Sequence, residues 1–373
     1  MGRRGHGEGS ITRRKDGRYQ AAITLENHKR QYFYGKTRKE VQDKLNRALY
    51  EQKQGTLAMG PQQTLKVHLE RWLEQVCKLT RRPNTYKVAR SVIRRHLVPG
   101  LGYIKLQKLT IGDLQAFYAE KSKKLKPGTV ARINAVLGSA LEDALKQGFI
   151  GRNVAKLVDL PRIERYEGQV LTVEQARKLL AVARGSRLDA LLLMALTTGM
   201  RRGELVALRW VDVDLERGTL QVRRTLSRIP GMGYVEGEPK SKAGRRRIVL
   251  SNTVVVALKA HELKQKQARI KMGNRWQERG LIFCNIYGSF FNPDYVWVLF
   301  KKLLQKAGLP DVRFHDLRHS AATVLLAAKI DLKAVSELLG HSSVAITADI
   351  YQSVLPEQQQ EIVKKMDDLF GGS

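Results

Sequence analysis

Two polar linkers divide the chain into three segments, and each segment has a different apolar periodicity. The first linker, residues 56–62, contains Gly60 and Pro61. The second linker, residues 153–168, contains Pro161 and several charged residues. Such stretches interrupt regular structure, and a chain of 373 residues is long enough for several cores. We therefore predict three domains, which span residues 1–58, 63–160 and 169–373.

The first segment predicts a small three-stranded sheet covered by one helix. Three runs rich in β-branched and aromatic residues, 11–14, 18–25 and 29–34, are separated by turn sequences. Thr37 and Glu40 then form a capping-box pattern, and apolar residues follow at helical spacing. The free face of this sheet is basic, which favours DNA binding over a merely solvated surface. The candidate contacts are Arg13, Arg14, Arg18 and Tyr19.

The second segment predicts a helical bundle. Apolar residues at spacings of three and four recur in four stretches, the first within 65–76 and the second within 86–97. Pro99 and Gly100 are expected to stop the second helix. The opposite faces are basic. They fit a bundle that is simply soluble, and they also fit one that clamps a duplex through its phosphates. In the second case the predicted DNA contacts are Arg81, Arg82, Lys87, Arg90 and Arg94.

The charge of the chain indicates a polyanionic partner. It has 67 Lys and Arg residues against 35 Asp and Glu, a net charge of +32. Nucleic acid is therefore the leading partner and an anionic membrane the second. A membrane role fits poorly, because the longest apolar run, 190–196, is far shorter than the roughly 20 residues that span a bilayer. No signal-peptide core follows Met1, so we expect a cytoplasmic protein.

The third segment predicts a mixed, mainly α domain with a small antiparallel sheet. Helices are expected at about 172–184 and 187–197, followed by a β-rich stretch at 218–250 and a strand at 281–284. The chain is thus expected to be a multidomain α+β protein. The only cysteines, Cys77 and Cys284, form no CxxC pattern, which argues against a structural zinc site. The apolar run before Cys284 predicts a buried, reduced thiol there.

Arg201 is the first residue with a candidate chemical role. An apolar helix ends near Leu196, and a further apolar stripe runs through 205–210. This places Arg201 at a helix N-terminus, where free N–H groups and the helix dipole favour an anion. Its guanidinium can bind a phosphate through two hydrogen bonds. Glu204 could orient Arg201, or could simply be a first-turn acid that suits the dipole.

Residues 240–247 form a basic stretch between β-like runs, which we interpret as a hairpin tip followed by a strand. By itself this is a generic basic patch. A lysine on a flexible hairpin can, however, reach a leaving oxygen and donate a proton to it. Lys242 is the candidate for that role and Lys240 the alternative, while Lys240 and Arg245 are also candidate DNA contacts.

His315 and Arg318 open a predicted helix and share one of its faces, because they are three residues apart. His319 is expected to point elsewhere, as a core or interhelical histidine. Further on, Gly340 is predicted to end a helix immediately before His341.

Tyr351 is predicted to end a short helix that Ser343 caps. It follows His341 by ten residues. A lone tyrosine is more often a packing residue than a nucleophile, so the role of Tyr351 must be inferred together with the other candidate residues.

Together these elements resemble the tyrosine recombinase (phage integrase) family. The family is marked by T-G-x-R, a hairpin lysine, H-x-x-R, a G-H pair and a tyrosine about ten residues later. The same elements occur here in the same order, as Thr198–Arg201, Lys242, His315–Arg318, Gly340–His341 and Tyr351. The first two segments are similar to the arm-type and core-binding DNA domains of lambda-integrase-like members. Simple cellular Xer recombinases lack the first, so the resemblance favours a mobile-element integrase.

The resemblance implies that Tyr351 attacks a DNA phosphorus and forms a 3′-phosphotyrosine with a free 5′-hydroxyl. His315 would be the base, because a phenol with a pKa near 10 is mostly protonated at neutral pH. Arg201, Arg318 and His341 would stabilise the charge on the phosphate oxygens. Lys242 would protonate the leaving oxygen. The covalent link conserves the phosphodiester energy, so no cofactor, ATP or metal, is expected.

The resemblance also implies partners. These are double-stranded attachment sites with core and arm sequences, and a homotetramer that exchanges strands through a Holliday junction. The amphipathic tail, 358–370, is similar to the family's C-terminal helix that packs on a neighbouring protomer; folding on its own domain is the alternative. A directionality factor and a host DNA-bending protein are further candidate partners.

Two other functions fit part of the sequence. A DNA-binding protein without catalysis would explain the charge, but it has no need of all the polar positions named above. Its function would survive Tyr351→Phe. A type IB topoisomerase would use similar chemistry on any sequence, but it does not explain a separate arm-binding segment.

Overall fold

The computed structural model describes residues 9–24, 30–53, 62–163, 169–229, 231–239 and 241–351. The chain divides into two compact units, Met1–Arg165 and Tyr166–Ser373. The first unit contains two separate hydrophobic cores, and the second contains a large core with a small satellite. The three domain boundaries remain a prediction. Most of the first linker and part of the second lie outside the described residues.

The N-terminal residues form the expected antiparallel sheet and helix. The strands are β1 (Ser10–Arg13), β2 (Tyr19–Thr24) and β3 (Arg30–Gly35), in the order β1-β2-β3. Helix α1 (Arg38–Lys53) covers one face of the sheet. Alternate β2 side chains point at this helix, as the two-residue period of a strand requires. The core consists of Ala21, Ile23, Val41, Leu45 and Ala48.

The next described residues form the expected four-helix bundle. Its first long helix comprises α2 (Leu65–Arg71), a π-helical segment (Trp72–Cys77) and α3 (Lys78–Thr80). The second comprises α4 (Pro83–Val92), a π-helical segment (Ile93–Leu97) and α5 (Val98–Leu101). The third and fourth are α6 (Ile111–Ser122) and α7 (Pro127–Lys146). Their apolar stripes pack together in one core.

The expectation that Pro99 and Gly100 stop the second helix is wrong. The helix continues through both residues to Leu101. The reason is the π-helical segment just before them, in which the N–H of Val98 donates to the carbonyl of Ile93, five residues back. This wider turn accommodates a proline, which lacks an N–H and would crowd a regular α-turn.

The second unit is mainly helical. Its described helices are α8 (Val173–Ala183), α9 (Asp189–Thr198), α10 (Arg202–Leu205), α11 (Asn252–Met272), α12 (Pro293–Lys306), α13 (Asp316–Ala327), α14 (Leu332–Leu339) and α15 (Val344–Tyr351). Its described strands are β4 (Val213–Asp214), β5 (Thr219–Val222), β6 (Thr225–Ile229), β7 (Gly233–Gly237) and β8 (Arg246–Val249). The expected fold class, multidomain with mostly helices and small antiparallel sheets, is confirmed.

The strand pairing corrects the expected hairpin at residues 240–247. Strands β4, β5 and β8 form one sheet, and β6 and β7 form another. Because β7 and β8 belong to different sheets, the 3₁₀ turn Lys242–Gly244 connects two sheets and is not the tip of a hairpin.

Two other local expectations are wrong. The stretch 281–284 forms only isolated bridges at its two ends, Arg209 with Leu281 and Cys284 with Phe290. Its apolar residues reflect burial in the large core, which periodicity alone does not distinguish from a strand. The helix after Arg201 ends at Leu205, and Trp210 begins a separate 3₁₀ turn.

The two cysteines differ in their burial. Cys77 is buried, whereas Cys284, expected to be buried, is only half-buried because it lies where the chain leaves the core. Burial raises the pKa of both thiols. Within the described ranges, no helix is both long and apolar enough to cross a bilayer.

Gly100→Ala should destabilise the bundle, because the added methyl would lie 2.3 Å from Cε2 of Phe117. Overpacking of this kind costs about 1–3 kcal/mol. Gly138→Ala in α7 is the matched control, since its methyl would lie 3.7 Å from Ala155 Cβ and should stabilise the helix by about 0.5–1 kcal/mol. Hydrogen exchange of α6 and α7 peptides measures both effects. Unchanged protection in Gly100→Ala would contradict the close approach.

Candidate active site

Arg201 lies at the N-cap of α10 and faces a network of buried charges. Its Nη1 donates to Oε1 of Glu204 at 2.8 Å, and its backbone N–H donates to Oε2 of the same residue at 3.1 Å. Its Nη2 donates to the carbonyl of Gly340 at 3.2 Å. The neighbouring Arg202 instead donates to the carbonyl of Pro293. Of the Arg–Arg pair, therefore, only Arg201 belongs to this network.

Glu204 is shared between two arginines. Its side chain is 2% exposed, and its Oε2 also accepts from Nη2 of Arg246 at 3.1 Å. Burial by itself would raise the pKa of Glu204, but the charges of Arg246 and Arg201 outweigh it and lower the pKa. The expected contact between Glu204 and Arg201 is therefore present, and Glu204 has a second partner that the sequence did not suggest.

Arg246 is that missed partner, and only 6% of its side chain is exposed. It is the first residue of β8, where its side chain shares the buried face with Ile248 while Arg247 points to solvent. The two-residue alternation with Ile248 was the available signal. Its Nε donates to the carbonyl of Leu338 at 2.6 Å, which joins β8 to the last turn of α14.

Arg318 lies at the centre of the second half of the site and is 2% exposed. Its Nη1 donates to the carbonyl of Gly199 at 2.9 Å, and its Nε donates to Nε2 of His341 at 3.3 Å. Its Nη2 is buried and has no hydrogen-bond partner among the described residues. Burial, together with the charges of Arg201 and Arg246, lowers the pKa of Arg318 to about 9. The guanidinium is thus a strong donor with one unsatisfied group.

Two glycines bring backbone carbonyls to these arginines. Gly199 ends α9 and Gly340 ends α14, both in the left-handed region with φ of 59° and 68°. A Cβ on Gly199 would lie 2.2 Å from Cδ2 of Leu339. Space as well as backbone conformation therefore requires glycine at this position.

His315 is the N-cap residue of α13 and reaches solvent beside Arg318. Its ring contacts His319 edge-on, with 5.3 Å between ring centroids. The expectation that His319 points elsewhere is therefore wrong, because residues four apart on a helix lie on one face. Partial desolvation, with the charges of His319, Arg318 and Arg201, lowers the pKa of His315 to about 4. His315 is consequently neutral at pH 7 and able to accept a proton.

His341 is held on both sides of its ring. Because an arginine Nε–H can only donate, Nε2 of His341 accepts from Arg318, so the proton of the neutral ring is on Nδ1. That Nδ1 donates to the hydroxyl oxygen of buried Thr347 at 2.7 Å. Desolvation and the charges of Arg318 and Arg201 lower the pKa of His341 to about 3. Thr347 was missed because a threonine inside a helix has no distinctive sequence signal.

For Lys242 and Tyr351 the structure describes the backbone. Lys242 opens the turn Lys242–Gly244, and Tyr351 is the last residue of α15. The hydroxyl of Ser343 accepts from the N–H of Ala345 at 3.2 Å, as expected of a cap. Lys240 and the tail 358–370 lie outside the described residues.

The candidate DNA contacts of the first unit are mostly exposed. On the sheet, Arg13 lies over the ring of Tyr19 and Arg14 over the ring of Tyr34, while the side chain of Arg18 donates two hydrogen bonds to Asp16. In the bundle Lys87 is half-buried, whereas the other four contacts are exposed: Arg81, Arg82, Arg90 and Arg94. In the second unit Arg245 is exposed and forms an ion pair with Glu238. Their roles in DNA binding remain predictions.

Comparisons with known proteins match two separate segments of the chain to family models. Residues 169–358 match the model of the phage integrase family, and residues 64–132 match that of the phage integrase N-terminal SAM-like domain. A XerC-like tyrosine recombinase from Caldanaerobacter subterraneus subsp. tengcongensis is 30% identical, over 94% of this chain and 96% of its own length. The chain belongs to the phage integrase family of tyrosine recombinases.

Solved structures of integrases share the fold of this recombinase. The Tn1549 transposon integrase in complex with transposon right end DNA has a TM-score of 0.68 and 22% identity, over 80% of this chain and 99% of that one. A lambda integrase tetramer bound to a Holliday junction has a TM-score of 0.58 and 19% identity, over 93% and 96%. The two matches extend the likeness beyond the segments covered by the family models.

The two histidines of the recombinase site should titrate far below ordinary histidines. With pKa values of about 4 for His315 and about 3 for His341, both rings stay neutral as the pH falls through 6.5. Imidazole ¹⁵N spectra of the free protein, assigned with His315→Gln and His341→Gln, should show this and the Nδ1–H tautomer of His341. A DNA phosphate should raise both pKa values, because it adds negative charge. A midpoint near 6.5 without DNA would contradict the described surroundings.

Glu204→Gln should destabilise the second unit of the recombinase by about 3–5 kcal/mol, because it leaves the buried Arg246 without a counter-charge. The matched control is Glu216→Gln, whose exposed pair with Lys259 should contribute only about 0–1 kcal/mol. Urea unfolding can be followed by tryptophan fluorescence in a Trp72→Phe background, which leaves only tryptophans of the second unit.

The same carboxylate predicts the acid sensitivity of this unit. The folded pKa of Glu204 lies below its ordinary value of 4.5. Its contribution to stability is therefore complete above that value and is lost as the pH falls towards the folded pKa. Glu204→Gln should lack this part of the acid dependence, whereas Glu216→Gln should keep it. If the free energy of unfolding depended equally on pH in the two variants, the lowered pKa of Glu204 would be refuted.

Proposed function

We propose that this recombinase is the integrase of a mobile element and joins DNA attachment sites through a covalent 3′-phosphotyrosine. One observation carries the proposal. Arg318 is buried beside Arg201 and His341, and its Nη2 is unsatisfied among the described residues. A buried charged donor without a partner costs at least about 1–3 kcal/mol. A phosphate oxygen is the ligand that would complete this group.

In the proposed reaction Tyr351 is the nucleophile. Its phenolic oxygen forms a bond to phosphorus while the bond to the 5′ oxygen breaks. The phenolic proton passes to His315, whose ring is neutral in the free protein and whose pKa the negative charge of the bound phosphate raises towards the working range of a general base. Lys242 donates a proton to the departing 5′ oxygen, with Lys240 as the alternative donor. Rejoining reverses each step, so the phosphodiester energy is conserved and no cofactor is consumed.

Arg201, Arg318 and His341 bind the non-bridging oxygens in this proposal. The donors of Arg201 and Arg318 are fixed before DNA arrives, since Glu204 and Gly199 already hold them, and Thr347 already holds the ring of His341. In the free protein His341 Nε2 is occupied by Arg318. When Arg318 turns to the phosphate, the Thr347 hydroxyl can donate to Nδ1 and leave an Nε2–H for the phosphate. His341 then becomes a third donor without gaining net charge.

The remaining regions bind and organise DNA. Residues 1–58 would contact arm sites through the sheet, residues 63–160 would grip the core site, and residues 169–373 would carry out the chemistry. The net charge of +32 and the exposed arginines of the sheet and bundle support this division. The Tn1549 integrase, a relative in fold, is a transposon protein solved with DNA, which supports a mobile element as the source.

Strand exchange between two duplexes requires four active sites, so the proposed working form is a homotetramer on DNA. The lambda integrase, with the same fold, has been solved as a tetramer on a Holliday junction. The tail 358–370 would link neighbouring protomers. A directionality factor and a host DNA-bending protein would set the direction of the reaction, in the cytoplasm.

Tyr351→Phe should abolish covalent adducts while leaving DNA binding intact, because only the attacking oxygen is removed. The test incubates the protein with sheared genomic DNA of the source organism in EDTA, quenches with detergent and sequences the protein-bound ends. Adducts at one or two sites are expected from the wild type. Tyr295→Phe, which changes an exposed tyrosine of α12, is the matched control and should keep them.

The other outcomes separate the rival functions. Binding without adducts in the wild type would indicate a DNA-binding protein that does not cleave. Adducts spread over all sequences, together with relaxation of any supercoiled plasmid, would indicate a topoisomerase. Adducts that survive Tyr351→Phe would refute Tyr351 as the nucleophile.

A further inference from the structure

Arg246 connects three parts of the second unit. From the first position of β8 it reaches the carbonyl of Leu338 through Nε at 2.6 Å, Oε2 of Glu204 through Nη2 at 3.1 Å, and the carbonyl of Gly244 through Nη1 at 3.3 Å. With 6% of its side chain exposed, Arg246 is not available to DNA. Its role must therefore be exerted through the residues it holds.

The turn that carries Lys242 is seated closely on the segment before His341. A Cβ at Gly340 would lie 2.6 Å from the carbonyl oxygen of Ala243, and 2.9 Å from Nη1 of Arg246. There is consequently no room for a side chain between the turn and this segment. Because Gly340 also accepts from Arg201, the turn adjoins the phosphate-binding group.

The position of the Lys242–Gly244 turn is not fixed by hydrogen bonds between its two flanking strands. It lies between β7 and β8, which pair with strands of different sheets, β6 and β5. A hairpin would fix its tip through the ladder between its own strands, but here that ladder is missing. Other contacts hold the turn near the segment before His341, and the Arg246 guanidinium contacts both the turn, at the carbonyl of Gly244, and that segment, at the carbonyl of Leu338.

We propose that Arg246 is a positioning residue that seats the Lys242–Gly244 turn on the Gly340–His341 segment, so that the proton donor and the phosphate ligands meet the same phosphodiester. This inference rests on the proposed function, in which Lys242 is the general acid. In this proposal Glu204 has two roles, because its carboxylate orients both the phosphate ligand Arg201 and the positioning residue Arg246.

Arginine suits this position for a geometric reason. Its fork of donors points in several directions at once, and here three of its nitrogens reach three different acceptors. A lysine retains the charge opposite Glu204 but cannot make all three contacts. Arg246→Lys should therefore keep the ion pair and loosen the turn.

The test uses a DNA substrate in which sulfur replaces the bridging 5′ oxygen at the cleavage site. Attack by Tyr351 then forms the same O–P bond and breaks a P–S bond. The departing thiolate is a stable anion that needs no proton, so this substrate bypasses the general acid. Single-turnover cleavage of the sulfur and oxygen substrates by the full chain separates loss of the acid from loss of any other function.

Arg246→Lys should slow cleavage of the oxygen substrate, by up to about 100-fold for a misplaced catalytic group, and cleave the sulfur substrate at nearly the wild-type rate. Lys242→Ala should show the same pattern with a loss of about 10²–10⁴-fold. Arg318→Lys is the matched control, because a weakened phosphate ligand slows both substrates equally. Equal slowing of both substrates by Arg246→Lys would overturn the proposal.

A second variant tests the same contact from the opposite side. Gly340→Ala retains the Arg246 and Glu204 side chains and pushes a methyl against both the Ala243 carbonyl and the Arg246 guanidinium, so sulfur should rescue it as well. If Arg246→Lys fails to fold, which hydrogen exchange of α9 would reveal, Gly340→Ala is the deciding variant. Equal slowing of both substrates by Gly340→Ala would then refute the proposed contact between the turn and the Gly340–His341 segment.

Failure of the proposed function gives a different pattern. Tyr351→Phe should cleave neither substrate. If sulfur does not rescue Lys242→Ala but rescues Lys240→Ala, the acid is Lys240, and the proposal for Arg246 fails in its stated form. If sulfur rescues neither lysine variant, the general-acid step itself is wrong.

Discussion

The carboxylate of Glu204 is the contact on which the rest of the site depends. It lies between Arg201 and Arg246, almost out of contact with water, and accepts from both guanidinium groups. The buried charge of Arg246 and the half-buried charge of Arg201 would otherwise repel each other, and Arg246 would lose its hydration without compensation. With the carboxylate present, α10 and β8 can meet, and the α14 carbonyls can lie against both arginines. The site is therefore assembled before any substrate binds.

One anion does not balance all the nearby cations, and the excess sets the chemistry of the histidines. Arg318 adds a third guanidinium, and the pKa of each neighbouring imidazole is lowered by burial and by these charges. In the proposed function, a neutral His315 ring can act as a base, and a neutral His341 ring can change tautomer and become a hydrogen-bond donor. The same excess charge attracts a phosphodiester, which would satisfy the Nη2 of Arg318, a group without a hydrogen-bond partner in the described part of the chain. Binding and activation thus share one electrostatic origin in the proposed function.

Much of this structure could be predicted from the sequence, because apolar spacing reports directly on elements that bury one face. The sheet around Ile23, the bundle helices and the meeting of Arg201, Arg318 and His341 follow from spacing and motif order. The π-turns did not, since the same residues satisfy an α-helix. Arg246 did not stand out among three consecutive arginines, because only its pairing opposite Val222 turns it inward. The contact of His319 with His315 follows from helix geometry and was overlooked.

The arginines hold the segment before His341 by its main chain. Arg201 and Arg246 bind the carbonyl oxygens of Gly340 and Leu338, and every amino acid supplies that oxygen. Side chains along the exposed start of α15, such as Val344 and Ile346, take no part in these two hydrogen bonds. Substitutions at these exposed positions should therefore leave the main-chain tether between the two arginines and this segment intact.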